Sequence, residues 1–216
     1  VLKAINPRWW LPDLLNQALG EVRFRRQVFR SLRIELWEKQ RRYPRQHLNW
    51  TEGATEVDVV ITWENPKTTV FIEMKYGSQL SATTIHNNGS TGFPSDQLIR
   101  NARVGLRENG WFQEDVLFNE ERRDFVLILL TPTTGNPLVE KYRDSSQLKE
   151  AIPDSERLNE LPKLPFIGEL GYRDVINILK QQRRWFSKPE RTLIDDLERY
   201  LQLKLIQLGK TNGHGH

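Results

Sequence analysis

The middle of the chain runs Glu56-Val57-Asp58-Val59-Val60-Ile61-Thr62-Trp63, then Glu64-Asn65-Pro66-Lys67, then Thr68-Thr69-Val70-Phe71-Ile72-Glu73-Met74-Lys75. The outer thirds are dense in β-branched and aromatic residues and read as strands over 57–63 and 68–75. The four residues between them have turn composition, so the two strands form an antiparallel hairpin. Strand alternation puts Asp58, Val60 and Thr62 on one face of the first strand. It puts Phe71, Glu73 and Lys75 on one face of the second. If the turn closes over residues 64–67, Trp63 faces Thr68 and Asp58 faces Glu73. Two carboxylates opposed in a ladder repel, and a divalent cation between them reverses the sign. Hard oxygen ligands suit Mg²⁺ or Mn²⁺. Lys75, on the same face, is placed to hold and polarise a water there. A register slipped by two residues would instead set Asp58 against Lys75. That is an ordinary cross-strand ion pair worth about 0.2–1 kcal/mol.

Outward from the hairpin, the pattern predicts a short helix within residues 6–19 and a long helix over 22–42. In the long helix, Phe24, Val28, Leu32 and Leu36 recur at helical spacing, and Pro44 stops the run. Glu35 falls inside that apolar stripe, where a carboxylate is costly unless paired or metal-bound. If it instead lies at the edge of the stripe, it reaches water. His47 to Thr51 is a weak strand candidate. Residues 77–94 form a long polar connection of the kind that is often functional, here a loop to close over substrate. Ser95 reads as the N-cap of a helix from Asp96 to about Glu108, with Gln97 in its first turn. Phe125 to Leu130 is a buried strand, Phe166 to Leu170 a short strand, and Asp174 to Arg184 a helix. Residues 189–208 form a closing helix with Leu193, Leu197, Leu201 and Ile206 inward. A disordered tail is expected over 211–216. The fold class expected is α/β: one domain over 1–210, built on a mixed sheet of four to five strands flanked by helices.

Composition bounds the function. The 216 residues are 38% hydrophobic and 10% aromatic, enough for a core, which argues against wholesale disorder. Cysteine is absent, which excludes disulfides, thiolate metal sites and cysteine nucleophiles. No apolar run is long enough to span a membrane, and no signal-peptide pattern opens the chain. The expectation is a cytoplasmic protein with no membrane partner. Thirty-two basic against 28 acidic residues give a net charge of +4, which permits a nucleic-acid partner without demanding one. The four histidines show no metal-ligand spacing.

The order helix, strand, strand with Asp58, strand with Glu73-x-Lys75, helix with Gln97 resembles the PD-(D/E)XK nuclease superfamily, over roughly residues 22–131. Gly53-x-x-Glu56-x-Asp58 resembles its first acidic motif. Phe71-Ile72-Glu73-Met74-Lys75 resembles its second, and Asp96-Gln97-Leu98 its Gln-Leu signature. The resemblance implies a restriction-endonuclease-like core and a Mg²⁺ (or Mn²⁺) held by Asp58, Glu73 and the Met74 carbonyl. It also implies Lys75 orienting the water, Glu35 as a helix acid and Gln97 as an orienting group. No Pro precedes Asp58, and Asn101 stands where a Tyr of a Gln-x-x-x-Tyr motif would be. The strand-to-helix segment Glu169-Leu170-Gly171-Tyr172-Arg173-Asp174-Val175 is a weaker likeness.

The implied function is hydrolysis of phosphodiester bonds, in DNA, by a bacterial protein acting alone, as a homodimer or within a larger nuclease assembly. Arg100, Arg103 and Arg107, spaced along one helix, are candidates to meet flanking phosphates, as are Arg183, Arg184 and Lys188. His86, in the polar connection, is a candidate to touch substrate. A solvated or acid-paired arginine face is the alternative for each cluster. Two rivals to an enzyme remain. One is a catalytically silent nucleic-acid-binding or assembly domain of the same fold. The other is an α/β interaction domain whose charged residues are ordinary ion pairs.

Overall fold

The computed structural model describes residues 1–40, 55–76, 93–94, 96–113, 121–158 and 160–211. Five strands form one sheet: β1 (Arg30–Lys39), β2 (Glu56–Glu64), β3 (Thr68–Met74), β4 (Asp124–Thr131) and β5 (Ile167–Gly171). They lie side by side in chain order. The first three are antiparallel, and β4 and β5 then add parallel to β3. The fold is therefore α/β with a five-stranded mixed sheet. The helices are α1 (Leu11–Leu19), α2 (Gln97–Glu108), α3 (Pro137–Arg143), α4 (Ser145–Glu150), α5 (Tyr172–Gln181) and α6 (Lys188–Thr211). No helix among the described residues is long and apolar enough to cross a membrane.

Alternation along the strands divides the core between the two sheet faces. Val59, Ile61, Val70, Ile72, Val126 and Ile128 pack with α1, α5 and α6. Val60, Phe71, Phe125, Leu127 and Leu129 pack with α2, α3 and α4. The second layer sits close to the sheet. A Cβ on Gly105 of α2 would lie 2.1 Å from the Phe125 ring, so only glycine permits the approach.

The hairpin forms as expected, with Trp63 paired to Thr68. The buried strand at 124–131 and the strand-to-helix passage at 167–181 also form. The long helix expected over 22–42 does not. Residues 30–39 are the edge strand β1, antiparallel to β2. Leu32 and Ile34 pack toward the core shared with α1, while Arg33 and Glu35 line a groove on the opposite face. Four-residue spacing is also an even number of strand steps, so Leu32 and Leu36 satisfied a helical pattern and a strand pattern alike. The helix that precedes the sheet is α1. Ile206 is 56% exposed rather than inward, although Ile194 and Leu201 of the same helix are buried as an amphipathic helix requires. The strand at 47–51, the connection at 77–92 with His86, Gly53 and Ser95 lie outside the described residues, as does 212–216; Thr211 ends α6.

Candidate functional site

The β2–β3 ladder pairs Val59 with Ile72, so the next step brings Asp58 against Glu73. The Asp58 side chain reaches across the ladder, and its Oδ2 accepts a hydrogen bond from the Met74 amide at 2.7 Å. Glu73 is 1% exposed. Its Oε1 lies 2.9 Å from Lys75 Nζ, and its Oε2 accepts from Asn101 Nδ2 of α2 at 3.0 Å. Asp58, Glu73 and Lys75 thus meet where β3 leaves the sheet. The slipped register, with Asp58 paired to Lys75, is not the one formed.

The electrostatics follow from burial. Desolvation pushes the Glu73 carboxyl above the usual glutamate range, and the negative charge of Asp58 adds to that push. Hydrogen bonds and charge from Lys75, with the Asn101 amide, act in the other direction without cancelling it. A second cation beside these oxygens would favour the ionised form. Asn101 itself is fully buried, and its Oδ1 finds no hydrogen-bond partner among the described residues.

The start of α2 is held rigidly. Asp96, not Ser95, is the described N-cap, and its side chain accepts from the Ile99 amide at 3.0 Å. Its other oxygen accepts from the Tyr142 hydroxyl at 2.5 Å, and burial with that contact pushes the Tyr142 pKa up. Gln97 is half-buried in the first turn that Asp96 fixes.

Other sequence candidates are placed differently. Glu35 is exposed on β1, opposite Val60, not on a helix facing the core. With Arg33, Glu38, Thr62 and Phe71 it lines a groove of about 560 Å³ on the α2 side of the sheet. Among the described residues no three His, Asp or Glu side chains cluster tightly enough to hold a metal, so Asp58 and Glu73 stand as a pair without a third acid. Arg103 and Arg107 are fully buried and do not present guanidinium groups to a ligand. Arg103 donates to the carbonyls of Ala151 and Pro94. Arg107 pairs with Asp154 and lies over the Phe112 ring at 4.0 Å. Both arginines tie α2 to the segment that follows α4. Arg100 is half-buried, and its Nε has no partner among the described residues. Arg183 pairs with Asp195, and Arg184 lies over the Trp185 ring.

The partner that sequence reasoning missed is Asn101. A signal was present. Leu98, Asn101, Ala102, Gly105 and Leu106 have the spacing of one helical stripe, and Asn101 is its only polar member.

Comparison with protein-family models, with curated proteins and with solved structures finds no match. Fold and site together define an α/β protein with an acid–acid–lysine cluster at the carboxyl end of a central strand.

Proposed function

We propose that this chain is a metal-dependent nuclease of the PD-(D/E)XK type, with a restriction-endonuclease-like core, hydrolysing phosphodiester bonds in DNA. The observation that carries the reading is the meeting of Asp58, Glu73 and Lys75 on one sheet face, braced by Asn101 from the following helix. The element order supports it: α1, β1, β2 with Asp58, β3 with Glu73-x-Lys75, then α2 with Gln97. In it the first helix is α1 rather than the one expected over 22–42, and the first described strand is β1.

The donor set fits a hard divalent cation. It offers two carboxylates on adjacent strands, one of them buried at an energetic cost that a nearby positive charge would relieve. Asp58, Glu73 and the Met74 carbonyl would hold Mg²⁺ or Mn²⁺. The chemistry such an ion supplies is neutralisation of phosphate charge and acidification of the attacking water. Lys75 donates hydrogen bonds from an ammonium that Glu73 already orients, so it fixes the water's position and the direction of attack. Asn101 holds Glu73 through Oε2 and leaves Oε1 for Lys75. Gln97, on the pinned first turn of α2, orients substrate, and Arg100 is the arginine of its cluster placed to meet a flanking phosphate.

A second reading is a silent nucleic-acid-binding domain of the same fold. The closed Glu73–Lys75 ion pair favours it, because that contact satisfies both charges without a ligand. Cleavage of supercoiled plasmid, linear duplex and single strand with Mg²⁺ or Mn²⁺ separates the two. Cutting that is lost in Lys75→Ala supports the nuclease. Binding without cutting, unchanged in Lys75→Ala, supports the silent domain.

A further inference from the structure

Beside the carboxyl end of β3 lies a group of side chains that the reading above does not use. Tyr76 directly follows Lys75, and its hydroxyl donates to Gln207 Oε1 of α6 at 3.0 Å. The Lys204 ammonium sits 4.3 Å from the centre of the Tyr76 ring and 5.5 Å from that of Tyr200. Behind them the buried Tyr172 approaches the Lys75 carbonyl, with its hydroxyl at 3.4 Å. Lys204 thus joins Tyr76 and Tyr200 into one group, with Tyr172 against the backbone of the residue before Tyr76.

Two features of this cluster point to a ligand. Tyr200 is 55% exposed and Tyr76 39%, so two large rings stay open to solvent at the site's margin. Lys204 has no carboxylate partner among the described residues. Arg173, next to Tyr172 and sharing a groove with Leu205, has none either. Solvent-exposed aromatic rings with a cation against them that has no carboxylate partner among the described residues, near the proposed nuclease site, form a combination that binds unpaired nucleotides. The rings stack with bases and the cations meet the phosphates. Bases inside a duplex do not offer their faces.

We propose that Tyr200, Tyr76 and Lys204, on the α6 side of the end of β3, seat an unpaired nucleotide of a strand that continues around that end to Asp58, Glu73 and Lys75 on the α2 side. The substrate is then a strand with exposed bases: a single strand, a flap or an overhang. This rests on the nuclease reading for the chemistry, but the seat itself is tested by binding alone.

The experiment measures fluorescence anisotropy of a labelled oligo-dT and of an abasic oligomer of equal length. It uses the full chain in chelator, so that nothing is cut, beside a cleavage assay with Mn²⁺. Tyr200 is exposed, so its variants fold. Tyr200→Ala is expected to weaken oligo-dT binding about tenfold, while Tyr200→Trp keeps wild-type affinity. The abasic oligomer should bind weakly and be indifferent to both changes. Lys204→Gln should lower the salt slope of log K by about 0.7, the loss of one single-strand phosphate contact. Equal affinity for oligo-dT and abasic strand, or wild-type affinity in Tyr200→Ala, overturns the seat, and if cutting persists the nuclease reading stands. Tyrosine-dependent binding without any cutting keeps the seat and removes the nuclease. No binding of either oligomer overturns the seat.

Discussion

Gly105→Ala tests whether the approach of α2 to the sheet builds the site. In an exposed helix interior this change stabilises a protein by about 1 kcal/mol, because alanine is the better helix former. Here the new Cβ would lie 2.1, 2.5 and 2.8 Å from three atoms of the Phe125 ring. That ring is fully buried and wedged between Phe71, 5.1 Å away edge-on, and Phe166 at 6.0 Å, so it has nowhere to go. The helix must lift instead. Overpacking of this kind costs about 1–3 kcal/mol, and the severity of the contact places it at the upper end, outweighing the gain in propensity. A net loss near 2 kcal/mol lowers the melting temperature of a chain this size by roughly 4–8 °C. Asn101 stands one turn before Gly105 on the same stripe, so lifting the helix also draws the Asn101 amide away from Glu73. Activity should fall together with stability, even well below the melting transition. Thermal melts and cleavage rates on the purified variant check both. A Gly105→Ala protein as stable as wild type, or more so, would refute the argument that this glycine sets the helix–sheet distance.

Other expectations follow from the same geometry. Asp58→Asn should abolish cleavage, at least a hundredfold in rate, while circular dichroism stays that of wild type. Millimolar Mn²⁺ should raise the melting temperature of wild type and not of Asp58→Asn; a matching rise in both would place the ion elsewhere. Because the Glu73 pKa is raised by folding, the carboxyl's contribution to stability is full below the ordinary glutamate range. It is lost as pH climbs through the raised value. Glu73→Gln should therefore remove that part of the decline in melting temperature with rising pH, and at neutral pH it should melt no lower than wild type, although inactive. Asp154→Ala leaves the Arg107 charge buried without this partner and should cost about 3–5 kcal/mol in a denaturant titration.

Much of the site could be read in the chain because hairpin chemistry is local. A four-residue turn and two β-rich runs put Asp58, Glu73 and Lys75 on one face, and of the two registers they allow the structure forms the one in which Asp58 meets Glu73 and not Lys75. The identity of the preceding elements could not be read the same way. Around Leu32 and Leu36 the apolar spacing serves a helix and a strand equally, and what chose the strand was the free edge of β2 beside it. Hence Glu35, expected as a core-facing helix acid, stands exposed on an edge strand, and α1 supplies the helix instead.

The arginines of α2 show a second limit. Arg100, Arg103 and Arg107 look alike along the chain, and their charge alone suggests a phosphate-binding face. Arg103 and Arg107 are buried because the segment after α4 brings carbonyls and Asp154 to them, and only the packed chain supplies those partners. The same holds for Asn101, whose amide finds Glu73 across the helix–sheet interface. Sequence alone determined the hairpin and the shared face of its two carboxylates and lysine, since each depends on neighbours a few residues apart. Tertiary structure decided which helix braces them, which cations remain free to bind and which tyrosines gather at the margin. Those contacts join residues dozens of positions apart, and no local pattern encodes them.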